Sequence, residues 1–444
     1  GACRSEYEDP TSRRFHAQPV ACAECGPRTR WSARESDASI FGDVAIAAAG
    51  DALAEGRIVA VKGIGGFHLA CDATADAAVG ELRRRKGRPH KPLAVMVKDL
   101  EMARRYADVG AEEAELLSCK ERPIVLLGAK PYTDLATQVA PRQATVGLML
   151  PYSPLHELLL SDRPLVMTSG NLSGEPIVKD VAEARRRLGA IADGFLDHDR
   201  PIHTVCDDSV VRLVAGEPSF LRRSRGYAPS PLTLPCPAPP LLAVGGELKS
   251  VFCLAAGRRA FLSQHLGDVA SPDTLGAFER AFVLMRELFG IDPEIVACDL
   301  HPGYLSSQWA ERFAASEGLA LRRVQHHHAH VAALMAEHGL DGDRPMLGFA
   351  FDGTGYGADG TVWGVEVLKV DGGGFERVAH LRPVALPGGD RAVRRPARLA
   401  LAYLHDAGLP WRESLPCVRH VGGQSDAGDA LALLRRQLER RLGT

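Results

Sequence analysis

The chain has 444 residues, of which 45% are hydrophobic and 24% charged, and its formal net charge is −2. That length calls for roughly two to three domains, and that balance is ordinary for a globular protein. Near-neutrality excludes a global pull toward nucleic acid or anionic membrane, so any basic site has to be local. No apolar run reaches the ~18 residues that cross a bilayer, and no signal-peptide pattern opens the chain.

The first residue is Gly1 rather than Met, so a natural N-terminus is not expected there. Of the ten cysteines, Cys71, Cys119, Cys206, Cys236, Cys253, Cys298 and Cys417 follow no framework spacing. They read as buried thiols in a reducing cytoplasm rather than disulfides. Residues 1–35 differ. Cys22-Ala-Glu-Cys25-Gly26-Pro27-Arg28 forms a knuckle, and Cys3 lies upstream. Two thiolates on a tight turn suit a structural zinc, which takes four tetrahedral N/S ligands. Cys3, Cys22 and Cys25 would be three of the four, the missing one falling just before Gly1.

Asp43–Glu55 is an alanine-rich helical pattern. Arg57–Lys62 reads as a buried strand broken by Gly63-Ile64-Gly65-Gly66, a turn that would let backbone N–H groups approach an anion. The run Arg83-Arg84-Arg85-Lys86-Gly87-Arg88-Pro89-His90-Lys91-Pro92 leads into the strand pattern Leu93–Val97. Such a run can simply complement a helix C-terminus. Placed beside a strand, it also matches a triphosphate. A strand from Pro164 runs into Thr168-Ser169-Gly170-Asn171, small polar side chains where open α/β sheets contact ligands. Asp207 and Asp208 could bind Mg²⁺, but two acids before a strand more often make a turn or cap.

Residues 229–240 are proline-rich and read as a semi-rigid linker at a domain boundary. Beyond it, Leu241–Val244 with the turn Gly245-Gly246, the strand Ile295–Asp299 and the strand from Met346 to Phe351 suggest part of an actin/Hsp70/sugar-kinase-type domain, in which glycine turns hold phosphates. Between the last two strands lies Gln325-His326-His327-His328-Ala329-His330. His326 and His330 are four apart and share one face of a helix, and Asp352 can add an oxygen ligand from a strand end. Zinc and iron(II) both fit that donor set.

In order along the chain, the Cys22–Arg28 knuckle, the Lys62–Leu69 turn, the basic run to Met96, Pro151–His156, Thr168–Pro176, His198–Pro201, Arg222–Pro229, Gly245–Lys249, His301–Tyr304, the histidine cluster, Asp352–Gly357 and Leu386–Asp390 resemble the HypF family, carbamoyltransferases of [NiFe]-hydrogenase maturation. The resemblance implies an α/β multidomain protein. It would hold a zinc-ribbon remnant (1–35), a YrdC-like open twisted sheet (41–228), the linker (229–240) and the first part of an actin/Hsp70-kinase-like (ASKHA) transferase domain (241–444). It implies that ATP, with Mg, and a carbamoyl group meet in the YrdC-like part. There Lys62, Arg83, Lys86, Arg88, Lys91, Ser169, Asn171, His198, Arg200 and Arg225 would bind carbamoyl adenylate. Gly245, Gly246, Lys249, Gly353 and Gly355 would hold phosphate in the transferase part, beside a metal on His326, His330 and Asp352. No single catalytic residue is implied.

Carbamoyl phosphate would be the donor, and the C-terminal cysteine of a HypE-like protein the acceptor, in the cytoplasm and without membrane or nucleic acid. Full-length relatives carry an acylphosphatase-like domain before this region and further transferase sequence after it, including a late aspartate for the metal. The chain as it stands is therefore expected to have weak or no overall transferase activity. An O-carbamoyltransferase acting on a small-molecule hydroxyl and a YrdC-like double-stranded RNA-binding module are the alternatives. The cysteine knuckle argues against the first and the near-neutral charge against the second.

Overall fold

The computed structural model describes residues 1–444 except 18–20, 23, 25, 35, 37, 173–174, 423–426 and 441–444. The chain divides into two compact units, Gly1–Cys298 with Gly303–Arg322, and Asp299–Pro302 with Arg323–Thr444.

The first unit is built on an eleven-stranded mixed sheet. Its central strands are Val59–Lys62 and Phe67–Asp72, paired antiparallel, with Gly194–His198 parallel to the first and Leu165–Ser169 antiparallel to the second. Every residue of the two central strands is buried, as expected for strands covered on both faces. The period of two divides their side chains between two cores. Ala60, Phe67, Leu69 and Cys71 pack with Val79, Leu82 and Leu117 on one face; Val59, Val61 and Ala70 pack with Ala45, Ala49 and Leu53 on the other. Leu53 and Ala49 come from the expected helix, Asp43–Ala54.

The basic run ends a helix, Asp76–Lys86. Its four last-turn cations complement the helix dipole, and Gly87 takes the left-handed conformation (φ +64°) that closes the helix onto the carbonyls of Arg83 and Arg84. The following loop re-enters the sheet at Ala94–Met96.

The expected linker is instead a strand. Pro231–Ala243 spans 13 residues and pairs antiparallel with Cys253–Leu262, with register shifts between Thr233 and Ala238 and between Ala238 and Leu241. Only its last three residues pair on the other side, with Ile295–Ala297. Proline has no N–H to donate, so it is tolerated on an unpaired edge and at bulges, and Pro235, Pro237, Pro239 and Pro240 occupy that edge. The proline signal was real, but it marks an edge rather than a linker. Phe252, Phe278, Phe282 and Trp309 form the aromatic core beneath this sheet.

In the second unit the helix His326–Glu337 lays Val331 and Met335 against Leu368 and Val370 of a three-stranded antiparallel sheet, Met346–Ala350, Glu366–Asp371 and Gly374–His380. Three helices, Pro396–Asp406, Pro416–Gly422 and Ala427–Arg440, gather Leu401, Val418, Val421 and Leu434 into a separate small core. The transferase region expected as one domain from 241 onward is thus divided between the two units. Among the described residues no helix is long and apolar enough to cross a membrane.

Candidate functional site

A cavity of about 1610 Å³ opens in the first unit, where the loop after Asp76–Lys86 meets the end of the strand Leu165–Ser169. Lys86 is buried at its wall, and its ammonium donates to the carbonyls of Ser169 (2.5 Å) and Asn171 (2.7 Å) and to Asn171 Oδ1 (3.0 Å). Ser169 Oγ donates to the same Asn171 Oδ1 (2.8 Å), and Asn171 Nδ2 donates to the Glu175 carbonyl (2.6 Å). These three residues are one hydrogen-bonded group although about 80 residues separate them in sequence. Burial above all, and then the charge of Arg88, pulls Lys86 down to about 7. Burial followed by the charge of Arg222 lowers Arg88 to about 10, and burial followed by Arg88 lowers Lys91. Such crowded cations are the signature of a site whose counter-charge is supplied by a ligand.

Not every residue expected here faces this cavity. Arg83 donates to the carbonyls of Gln138 (2.6 Å), Arg88 (2.7 Å), Lys91 (3.2 Å) and Val139 (3.2 Å), so it shapes the basic loop from behind. Arg225 lies 3.5 Å over the Tyr152 ring and donates to Asp208 (2.8 Å) and to the carbonyls of Glu121 (2.9 Å) and Arg122 (2.8 Å). Both guanidiniums therefore hold the protein's own acceptors. Lys62 donates to the carbonyls of His198 (2.8 Å) and Arg200 (2.9 Å), and with His198 it lines an adjoining cavity of about 510 Å³ that shares Lys179, Pro201 and Ile202 with the first.

The paired acids are also engaged. Asp207 contacts Arg222 (2.6 Å) and His265 (3.6 Å), and Asp208 contacts His68 (2.9 Å) and Arg225 (2.8 Å). Burial opposes the ionisation of Asp208, but His68 and Arg225 hold its carboxyl far below the ordinary range. Both acids are thus paired with cations or histidines of the protein itself.

Lysines and arginines that sequence reasoning did not single out also line the large cavity, among them Lys179, Arg186 and Arg280. Arg186 lies in the basic triplet Arg185–Arg187, which was a readable signal. Arg280 sits alone on the helix Pro272–Phe289 and arrives only by tertiary folding.

The second unit holds the histidine site. Gln325 caps the helix His326–Glu337, its Oε1 accepting from the His328 N–H (2.9 Å). This fixes the first helical turn, and His326 and His330 then stand on one face with ring centroids 4.9 Å apart. Asp352 Oδ2 lies 3.0 Å from His326 Nε2 and 3.8 Å from His330 Nε2, and one donor atom from each of the three residues falls within 4.8 Å of the others. Behind them Asp299 Oδ2 takes the other nitrogen of His326, Nδ1, at 2.7 Å. A carboxylate on the far nitrogen orients an imidazole for a metal. Sequence reasoning missed Asp299, whose only signal is its place at a strand end.

The hydrogen bond His326 donates to Asp299, then that to Asp352, pushes it up to about 9. Gly355 belongs to the hairpin beside the helix, and a Cβ there would lie 2.6 Å from His327 Cε1 and 2.9 Å from His326 Cβ, so only glycine fits. Gly353 donates its N–H to Asp352 Oδ1 (2.9 Å). Gly245, Gly246 and Lys249 of the expected phosphate turn lie in the first unit, and Lys249 lines the large cavity. At the N-terminus Cys3 lies on a short helix, Ala2–Glu8, and is half-buried like Cys22; Cys25 lies outside the described residues.

Four family models match in order: the HypF finger over residues 1–32, the Sua5/YciO/YrdC model described as "Telomere recombination" over 51–224, the HypF Kae1-like domain over 237–337, and the second subdomain of the carbamoyltransferase Kae1-like domain over 348–444. The chain is 49% identical to carbamoyltransferase HypF of Synechocystis sp., the match covering 91% of this chain and 59% of that protein. It superposes on the crystal structure of full-length HypF in a phosphate- and nucleotide-bound form with a TM-score of 0.89 and 44% identity, covering all of this chain and 56% of that one. Threonylcarbamoyl-AMP synthase of Shigella flexneri is 31% identical over 33% of this chain and 80% of its own length. The chain thus spans little more than half the length of the HypF proteins it matches. With finger, YrdC-like and Kae1-like parts in one order and at this identity, the chain belongs to the HypF family of carbamoyltransferases.

Proposed function

We propose that the chain activates a carbamoyl group with ATP and passes it to the C-terminal cysteine of a HypE-like acceptor, in the maturation of [NiFe]-hydrogenase. The observation that carries this reading is the Lys86–Ser169–Asn171 group at the wall of a cavity lined with cations. The first step would join a carbamate oxygen to the α-phosphorus of ATP and break the bond to the β-phosphate, giving carbamoyl adenylate and pyrophosphate. Carbamate is a poor electrophile, and adenylation gives it a leaving group. Lys86, Arg88 and Lys91 offset phosphate charge as it shifts to the departing pyrophosphate, and Ser169 and Asn171 hold the lysine in place. Magnesium would enter with the nucleotide and, when bound, would offset phosphate charge beside these cations. In the second step the acceptor thiolate attacks the carbamoyl carbon and AMP leaves. Carbamoyl phosphate is the donor from which the carbamate derives.

The donor set His326, His330 and Asp352, with Asp299 behind, fits a divalent zinc or iron ion, which would anchor an adenylate phosphate or polarise the carbamoyl oxygen when bound. Cys3, Cys22 and Cys25 would serve a structural zinc in the finger.

The reading is tested by incubating the chain with ATP, labelled pyrophosphate and either carbamoyl phosphate or bicarbonate with ammonia. Label should enter ATP only when a carbamoyl source is present. No exchange with either source would refute adenylation by this chain.

A further inference from the structure

Lys249 follows the turn Gly245-Gly246, in the part of the chain matched by the Kae1-like model, yet its side chain lines the same cavity as Lys86, Arg88 and Lys91 of the YrdC-like part. Both parts belong to one compact unit. The chain is fastened across them. Gln264 Nε2 donates to the Val205 carbonyl (3.2 Å), and Asp207 lies between Arg222 (2.6 Å) on one part and His265 (3.6 Å) on the other. The Lys249 backbone is constrained as well. It is a non-glycine residue in the left-handed region (φ +50°), held there by its N–H to Asp268 Oδ1 (2.8 Å). Such conformations persist only where the surroundings enforce them, and they gather at functional sites. The ammonium itself forms no hydrogen bond or ion pair among the described residues.

We propose that Lys249 is a ligand for the polyphosphate end of the nucleotide, so that both family parts build one phosphate site. The proposal rests on the ATP reading above and deepens it. Arg88, Lys91, Arg222 and Lys249 bring four cations to this end of the cavity, and Asp207 is the one carboxylate that acts on Arg88 and Lys91 there. Even with Asp207 and with Asp268, which accepts the Lys249 N–H, the four cations leave an excess of positive charge that suits the anionic tail of ATP. The Lys249 charge is felt at Lys91, which burial first, then Arg88, Arg222 and Lys249, hold below the usual lysine range. Lys86, its three donors held by Ser169 and Asn171, contributes its charge at the cavity wall, where the α-phosphate would lie. When the bond between α-phosphorus and the bridging oxygen breaks, its electron pair leaves with pyrophosphate, and Lys249 offsets that charge. Departure of pyrophosphate then removes the anion that cations of both parts share.

The test is calorimetric titration of the 444-residue chain with ATP, pyrophosphate and AMP, comparing wild type with Lys249→Met, Lys249→Arg and Arg88→Met. Lys249→Met should weaken ATP and pyrophosphate about tenfold while AMP stays within about twofold, because one charge-assisted contact is lost only at the tail. Lys249→Arg should recover most of the loss, since the charge is kept. Equal weakening of AMP would mean a diffuse charge effect and overturn the proposal. So would unchanged ATP affinity in Lys249→Met alongside a loss in Arg88→Met, and the ATP reading would then still stand. Failure of the wild type to bind ATP would overturn both.

Discussion

The two sites solve the same problem, holding charge in place, by opposite means. At the cavity the key cation is buried and tethered by three acceptors, and the arginines around it either line the cavity or, like Arg83 and Arg225, brace its walls from behind. At the histidine site the ligands are half-buried or exposed, three side chains on a helix start and a strand end, and one buried carboxylate orients one of them. At the first, the protein itself supplies the cation's hydrogen bonds but not its counter-charge. The second has few constraints and depends on what it binds. Loss of a group should therefore disturb fold and function together at the first, but mainly ligand affinity at the second.

The largest effect is expected for Lys86→Ala. It removes the charge nearest the expected α-phosphate and the donor to the Asn171 carbonyl, while the Ser169 carbonyl keeps the Asn171 N–H (3.0 Å) and Asn171 Oδ1 keeps the Ser169 hydroxyl (2.8 Å). Pyrophosphate exchange should fall roughly 100- to 1000-fold, and stability in urea by about 1 kcal/mol, since relief of the buried ammonium's cost offsets part of the lost bonds. A variant with full exchange would separate the lysine from the chemistry. At the other site, Asp299→Asn should lower zinc affinity about 10- to 100-fold in chelator competition, while the urea midpoint moves little. An unchanged affinity would show that the carboxylate behind His326 has no part in metal binding. Gly355→Ala sits between the two cases. The new Cβ meets His327 and His326, and repacking should cost about 1–3 kcal/mol. Circular-dichroism melts would read that cost, and chelator competition would show whether the histidines shift.

Much of this contrast was readable before folding. The buried strand Val59–Lys62, the helix that closes at Gly87 and the helical pairing of His326 with His330 follow from periodicity and from turn chemistry, which are local. What was not readable depends on where backbone acceptors end up. Arg83 and Lys86 are three residues apart on one helix and carry the same charge, yet one turns onto the carbonyls of Gln138 and Val139 while the other reaches the cavity wall. No property of the run Arg83–Lys91 distinguishes them, because those carbonyls belong to a distant loop. Asp299 was invisible for the same reason. The proline-rich strand Pro231–Ala243 was misread for a different one. Proline reports a missing N–H, and a linker and an unpaired edge both tolerate that loss.

The smallest effect is the most diagnostic, because it follows a proton. Lys86 titrates near 7 in the folded chain, against 10.5 for an ordinary lysine. Its folded pKa is depressed, so the unfolded chain binds more protons between about 7 and 10.5, and stability should rise with pH across that window. The cost of burying the ammonium is complete below about 7 and is relieved as pH approaches 10.5. Replacing Lys86 by Met removes that slope, which urea midpoints taken along the pH series would show. Bound phosphate should reverse the depression, because an anion beside the ammonium favours its charged form. ATP binding at pH 8 should then be accompanied by uptake of a fraction of a proton, seen as a binding enthalpy that changes with the ionisation enthalpy of the buffer. At pH 6 the ammonium is already charged and uptake through Lys86 should vanish. Equal uptake at both values, or uptake that persists in Lys86→Met, would place the titrating group elsewhere and remove Lys86 from contact with the nucleotide.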